Sequence, residues 1–272
     1  VRHPDRQTRL RCVRCERPAC PECLRDASVG YQCVDCVRES QGSVRRPRTF
    51  VGAEVGTRPL VMPVLIVVNV LMFVLTAVQA QSALNNQRSE VFEALVLWPQ
   101  GVALFGEWWR LLGAGFLHYG PTHIVFNMLA LYVLGRDLEP AFGRVRFLAL
   151  YLVSMFGGNV AVFLFGSPNA LTAGASTAVY GLMGAMLVAV LKLKLNPGTA
   201  LAVIGLNVVL SFTLPGISLV GHLGGLAVGA GLAAGLIYAP RERRELWQGG
   251  LVAATTLVLI GLVLVGSTQI GL

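Results

Sequence analysis

Charge is what this chain has least of. Of its 272 residues only 13% are Asp, Glu, Lys or Arg while 54% are apolar, and the mean hydropathy is +0.65. Soluble domains carry roughly 25% charged residues, so an ordinary soluble enzyme is excluded. Residues 147–191 and 195–240 hold no charged side chain at all. Each run is about twice the roughly 20 residues a helix needs to cross a bilayer, and each has a polar or Pro/Gly break near its middle. Carboxylates are missing between Glu139 and Glu242, which leaves a carboxylate relay of the kind used by pumps and ion-coupled transporters nothing to run on. Cysteine is missing after Cys36, so no disulfide staples the apolar part. Residues 1–40 lack an apolar run, so no cleavable signal peptide is expected there.

What is present is the pattern of an all-α polytopic membrane protein. Seven apolar spans are expected at about 61–80, 119–135, 146–166, 173–191, 198–214, 217–239 and 249–266. The chain divides into a Cys/His module at 1–40, a basic Gly/Pro/Arg linker at 41–60, six spans within 61–239, and a loop with a seventh span at 240–272. Segment 81–118, polar at first and then carrying Trp98, Trp108 and Trp109, suits a partly embedded interfacial loop. Net charge is +8, but twelve of the 22 basic residues lie in residues 1–58 beside seven of the 14 acidic ones. Most of the other basic residues flank spans, as orientation signals do, so no nucleic acid partner is expected. With the N-terminus cytoplasmic, the inner loops carry Arg136, Arg144, Arg146, Lys192, Lys194, Arg241, Arg243 and Arg244, and the outer loops only Arg88 and Arg110. This bias predicts a multi-pass protein of the plasma (inner) membrane with its C-terminus outside.

Within the spans, histidine is the one remaining titratable base. His123 and Asn127 are four apart on one helical face. Ser176 opens GASTAVYG, with Tyr180 one turn below. His222 sits near the start of the sixth span, where Gly221, Gly225 and Gly229 form a small-residue stripe facing a similar one at Gly174, Ala178, Gly181 and Ala185. Such stripes let two helices approach closely. Ser176 and His222 are expected roughly 5–8 Å below the outer ends of their helices. A serine is a weak nucleophile until a base removes its proton, and imidazole is the usual base. Asn127, His123 and the Ser176 backbone N–H are candidate donors to a tetrahedral oxyanion. With no carboxylate at hand, the expected arrangement is a Ser-His dyad, its ring steadied by Tyr180, rather than a Ser-His-Asp triad.

Glu107-Trp108-Trp109-Arg110, His118-x4-His123-x3-Asn127, Glu139-x3-Gly143, Gly174-x-Ser176, Tyr180 and His222-x2-Gly225 resemble the motifs of the rhomboid family of intramembrane serine proteases, over about residues 60–266. The resemblance implies a six-helix bundle, with Ser176 as nucleophile, His222 as base and His123 with Asn127 at the oxyanion. Gly174, Tyr180 and Gly225 support them, transmembrane proteins are the substrates, and catalysis needs no cofactor. The seventh span resembles the subset of that family with an extra C-terminal helix. One departure stands out: the family usually has glycine directly after the serine, and here Thr177 is expected to narrow the cleft or reshape the oxyanion site. The alternative is an inactive rhomboid-like protein that binds membrane partners.

The six cysteines form three Cys-x2-Cys pairs, Cys12/Cys15, Cys20/Cys23 and Cys33/Cys36, with His3 upstream. Thiolates at this spacing grip tetrahedral zinc from one tight turn. Seven ligands are one short of two sites, and the eighth is expected before Val1. The pattern resembles B-box-like zinc fingers, which implies interleaved pairs: Cys12, Cys15, Cys33 and Cys36 on one Zn2+, and His3, Cys20 and Cys23 on the other. A closed site of this kind serves folding or a protein partner rather than catalysis.

Overall fold

Hydropathy and helix length agree along most of the chain. The computed structural model describes residues 3, 5–43, 47–55, 58–213 and 216–270. Linker positions 44–46 and 56–57 and the last residue of the fifth expected span lie outside the described residues. The chain separates into two compact units, Val1–Pro47 and Arg48–Leu272.

The first unit is small. Strands β1 (Leu24–Asp26) and β2 (Tyr31–Cys33) pair antiparallel with Leu24 opposite Cys33, and helix α1 (Val34–Ser43) follows. Among the described residues of this unit, Cys12, Ala19, Cys20, Cys23, Leu24, Cys33 and Cys36 are buried. Cysteine supplies most of that core.

The second unit is helical. It runs α2 (Val61–Gln79), α3 (Glu90–Leu95), α4 (Pro99–Phe105), α5 (Arg110–Gly113), α6 (Gly120–Phe142), α7 (Arg144–Phe165), α8 (Ser176–Lys192), α9 (Gly198–Thr213), α10 (Leu219–Tyr238) and α11 (Arg244–Ile270). Among the described residues, α2, α7, α10 and most of α11 are long and apolar enough to cross a membrane, and α8 and α9 are shorter apolar helices. α6 continues past residue 135 to Phe142, taking Arg136, Asp137 and Glu139 into its last turns. The unit is the helical body of a multi-pass membrane protein.

Two buried ionic groups hold its irregular parts. Glu139 accepts the backbone N–H groups of Leu60, Val61 and Met62 at 2.7, 2.9 and 2.8 Å, so a side chain on α6 satisfies the orphan donors that begin α2. Segment 81–118 is gathered around Arg110. Its Nε is 2.7 Å from Glu107 Oε2, and its Nη1 donates to the carbonyls of Glu93 and Val96 at 2.6 and 2.9 Å.

α7 supplies the centre of the core, with Phe147, Leu150, Tyr151 and Met155 fully buried. α8 and α10 meet backbone to backbone. A methyl on Gly229 would fall on the backbone of Gly181, one on Gly225 on the Thr177 carbonyl oxygen, and one on Gly184 would lie 2.6 Å from the Leu226 carbonyl oxygen. α9 is different: Ser211 is its one buried residue, while Leu201, Leu206, Val209 and Phe212 face outward.

Candidate active site and candidate metal centre

Ser176 is the first residue of α8. Residues 166–175 reach it without helix, held by the mutual Leu97–Thr172 backbone pair at 3.0 Å and by Gly174 N–H donating to the Ala114 carbonyl at 2.9 Å. The expectation that the serine lies below the outer end of its helix is therefore corrected: the helix begins at the serine, and a folded-in loop brings the chain there. Gly174 has φ +139°, and a Cβ at that position would stand 2.8 Å from His123 Cε1. Both the backbone conformation and the space require glycine.

His222 lies in the first turn of α10, which Ser218 caps by accepting the Gly221 N–H at 3.2 Å. Its Nε2 is 2.7 Å from Ser176 Oγ. Its ring stacks on Tyr180, with centroids 4.0 Å apart and planes 17° apart. The close α8–α10 seam explains the short reach, because glycines let the two backbones approach until one side chain spans the gap. A hydroxyl on an imidazole nitrogen is the arrangement in which a base can take the proton as the oxygen attacks carbon.

His123, in the first turn of α6, accepts the Tyr119 N–H on Nδ1 at 3.2 Å. This leaves Nε2 as the protonated nitrogen, on the side facing Gly174 and Ser176. Asn127 is buried one turn on, and its amide donates to the His123 carbonyl at 2.9 Å, which engages one of its two N–H bonds. His118 is fully buried with its ring edge-on to His123, centroids 5.1 Å apart.

Thr177 does not crowd this cleft, contrary to expectation. Its side chain is buried between α7 and α10, where Gly158 and Gly221 make room for it, and its hydroxyl reaches the Met155 carbonyl at 3.5 Å. A helix turns successive residues about 100° apart, so the position after an inward-facing serine looks into the neighbouring seam.

One residue at the site escaped the sequence reading. Ser211 of α9 lies 2.7 Å from His222 Nδ1 and 2.6 Å from the Tyr180 hydroxyl. A signal existed: Asn207 and Ser211 are four apart in an otherwise apolar helix, hence on one face.

In the first unit the sulfurs of Cys12, Cys15, Cys33 and Cys36 come together, with all four ligand atoms within 4.8 Å of one another. His3, Cys20 and Cys23 do the same. His3 Nδ1 is 3.3 Å from both Cys20 Sγ and Cys23 Sγ. Four thiols at this separation suit a tetrahedral soft-metal site. The Cys33 N–H donated to Cys12 Sγ at 3.2 Å pulls that thiol down to about 6, while Cys36, crowded by Cys15, is pushed up to about 12. Cys12 thus readily forms a thiolate while Cys36 resists doing so, a conflict that a bound dication removes. The residues present therefore could hold a metal ion in each cluster.

A family model of the rhomboid domain matches residues 105–240, half of the chain. The rhomboid protease GluP of Bacillus subtilis (strain 168) is 35% identical over 187 residues, covering 66% of this chain and 35% of that protein. RHOMBOID-like protein 4 of Arabidopsis thaliana is 32% identical over 180 residues, covering 59% of this chain and 45% of the relative. The putative rhomboid protease YdcA of B. subtilis is 32% identical over 162 residues, covering 56% of this chain and 81% of the relative. The chain thus spans less than half the length of the first two. All three matches and the domain match point one way, and this chain belongs to the rhomboid family.

Proposed function

We propose that this chain is an intramembrane serine protease that hydrolyses peptide bonds in or near the outer part of substrate transmembrane helices. The observation that carries the reading is the 2.7 Å pairing of Ser176 Oγ with His222 Nε2 in a helical membrane body. Ser176 Oγ bonds to the scissile carbonyl carbon as its proton passes to His222 Nε2. The C–N bond then breaks, and the same proton leaves with the amine. Water attacks the acyl-enzyme with His222 again as base, and the proton returns to Ser176 Oγ as the acid departs. His123 Nε2–H, the second Asn127 amide hydrogen and the Ser176 backbone N–H are the donors to the oxyanion. The N–H groups of the first helical turn have no intrahelical partner, and the helix dipole favours negative charge at that end. Gly174 and Gly225 act by letting His123 and α10 come close.

The catalytic core is residues 61–239, in a plasma (inner) membrane with the N-terminus cytoplasmic, a reading supported by the basic inner loops. A substrate helix must unwind locally to present its carbonyl, and unwound backbone is tolerated only inside protein or beside water. Single-span proteins with small or helix-weakening residues in the outer half of the span are the substrate class. The N-terminal module holds structural Zn2+ and serves a protein partner. The test is labelling of the purified chain by a serine-reactive fluorophosphonate. Label on the native chain and none on Ser176→Ala or His222→Ala is the expected result, and equal labelling of Ser176→Ala overturns the assignment.

A further inference from the structure

The hydrogen bonds around Ser211 are consistent with one proton arrangement. A serine hydroxyl has one hydrogen to give and two lone pairs to receive with. Ser211 Oγ donates to the Asn207 carbonyl oxygen at 2.7 Å, one turn back on α9. The Tyr180 hydroxyl at 2.6 Å and His222 Nδ1 at 2.7 Å are then both donors to Ser211. Any other assignment leaves Ser211 Oγ and the Asn207 carbonyl as two acceptors facing each other at 2.7 Å with no hydrogen between them. A neutral imidazole protonated on Nδ1 carries a bare lone pair on Nε2, and that nitrogen meets Ser176 Oγ.

We infer that Ser211 is a positioning residue for the dyad, holding His222 in the tautomer and orientation in which Nε2 accepts the Ser176 proton. The inference rests on the proposed protease reading. Ser211 occupies the place that a carboxylate holds in a Ser-His-Asp triad, behind the histidine and opposite the nucleophile. Its hydroxyl oxygen presents a dipole rather than a charge, which suits a site where no carboxylate lies between Glu139 and Glu242. Two features aim it. Back-bonding to Asn207 turns its lone pairs toward α8 and α10, and the Tyr180 hydroxyl fills one of them, leaving the other for Nδ1–H. Tyr180 thus binds His222 twice, by its ring face and through Ser211. Ser211 is also the one buried residue of a helix that is mostly exposed, so the constellation is complete only with α9 docked.

The test combines kinetics with a tautomer measurement on the full chain. Ser211→Ala is expected to lower kcat about ten- to hundredfold, the scale of one hydrogen bond to a group that becomes charged, with KM unchanged. Ser211→Thr keeps a hydroxyl that back-bonds in a helix and is expected to restore kcat to within about threefold. With only four histidines in the chain, 15N-histidine NMR reads the His222 ring directly. Nδ1–H is expected in the native chain and a mixture of tautomers in Ser211→Ala. An unchanged kcat in folded Ser211→Ala, a loss that Ser211→Thr fails to restore, or an Nε2–H ring in the native chain each overturns the inference. Because the ring measurement needs no turnover, a native chain that takes no fluorophosphonate label sinks the protease reading separately from this one.

Discussion

The two units hold themselves together by opposite means. Among its described residues the N-terminal unit buries seven of apolar class, and five of them are cysteines; apart from these, that core is little more than Ala19 and Leu24. The helical body buries a large apolar core around α7 and seals α8 against α10 through glycines. Where burial is scarce, ligand bonds must supply the folding energy, as in small metal-dependent domains. Where it is plentiful, shape complementarity and a few buried polar clamps decide stability. The difference predicts which perturbation breaks which unit.

The largest effect is expected from chelation. Removing metal should abolish the folded state of the first unit, seen as loss of its circular dichroism and release of at least one zinc per chain, while Ser176 labelling in the body persists. Coincident loss of both signals would mean that the units do not stand apart. Next comes Glu139→Ala, which strands three backbone donors at the start of α2. A loss of about 3 kcal/mol in the unfolding free energy of the body is expected, with zinc content unchanged. Smaller still is Gly229→Ala, which should cost about 1–3 kcal/mol because its methyl meets immovable backbone. Gly205→Ala on α9, with nothing near its missing Cβ, should leave stability level or slightly raised. If the two glycine substitutions proved equal, the seam would not be the tight contact described.

Much of this was legible in the chain. Uninterrupted apolar runs placed the helices, since a bilayer tolerates little else. Four-residue spacing of Gly221, Gly225 and Gly229 announced the α8–α10 contact, and three Cys-x2-Cys pairs announced the clusters of thiols that could hold a metal. Other features were hidden. The extension of α6 through Asp137 and Glu139 looked too polar for a span, because its carboxylate is spent on the backbone of α2, a partner about 78 residues away in the chain. Thr177 looked like an obstruction because sequence gives its identity without its direction.

By itself, then, the order of residues determined the membrane class, the small-residue seam and the three close cysteine pairs, because each follows from local composition or spacing. Only the tertiary structure decided that α8 begins at Ser176, that Gly158 and Gly221 receive Thr177, and that Ser211 stands behind His222. Those facts depend on how three helices and a loop meet. A hydroxyl in an apolar helix gives no sign along the chain of which nitrogen it will face, since hydrogen bonds between helices are fixed by distances of a few ångströms that sequence spacing does not encode.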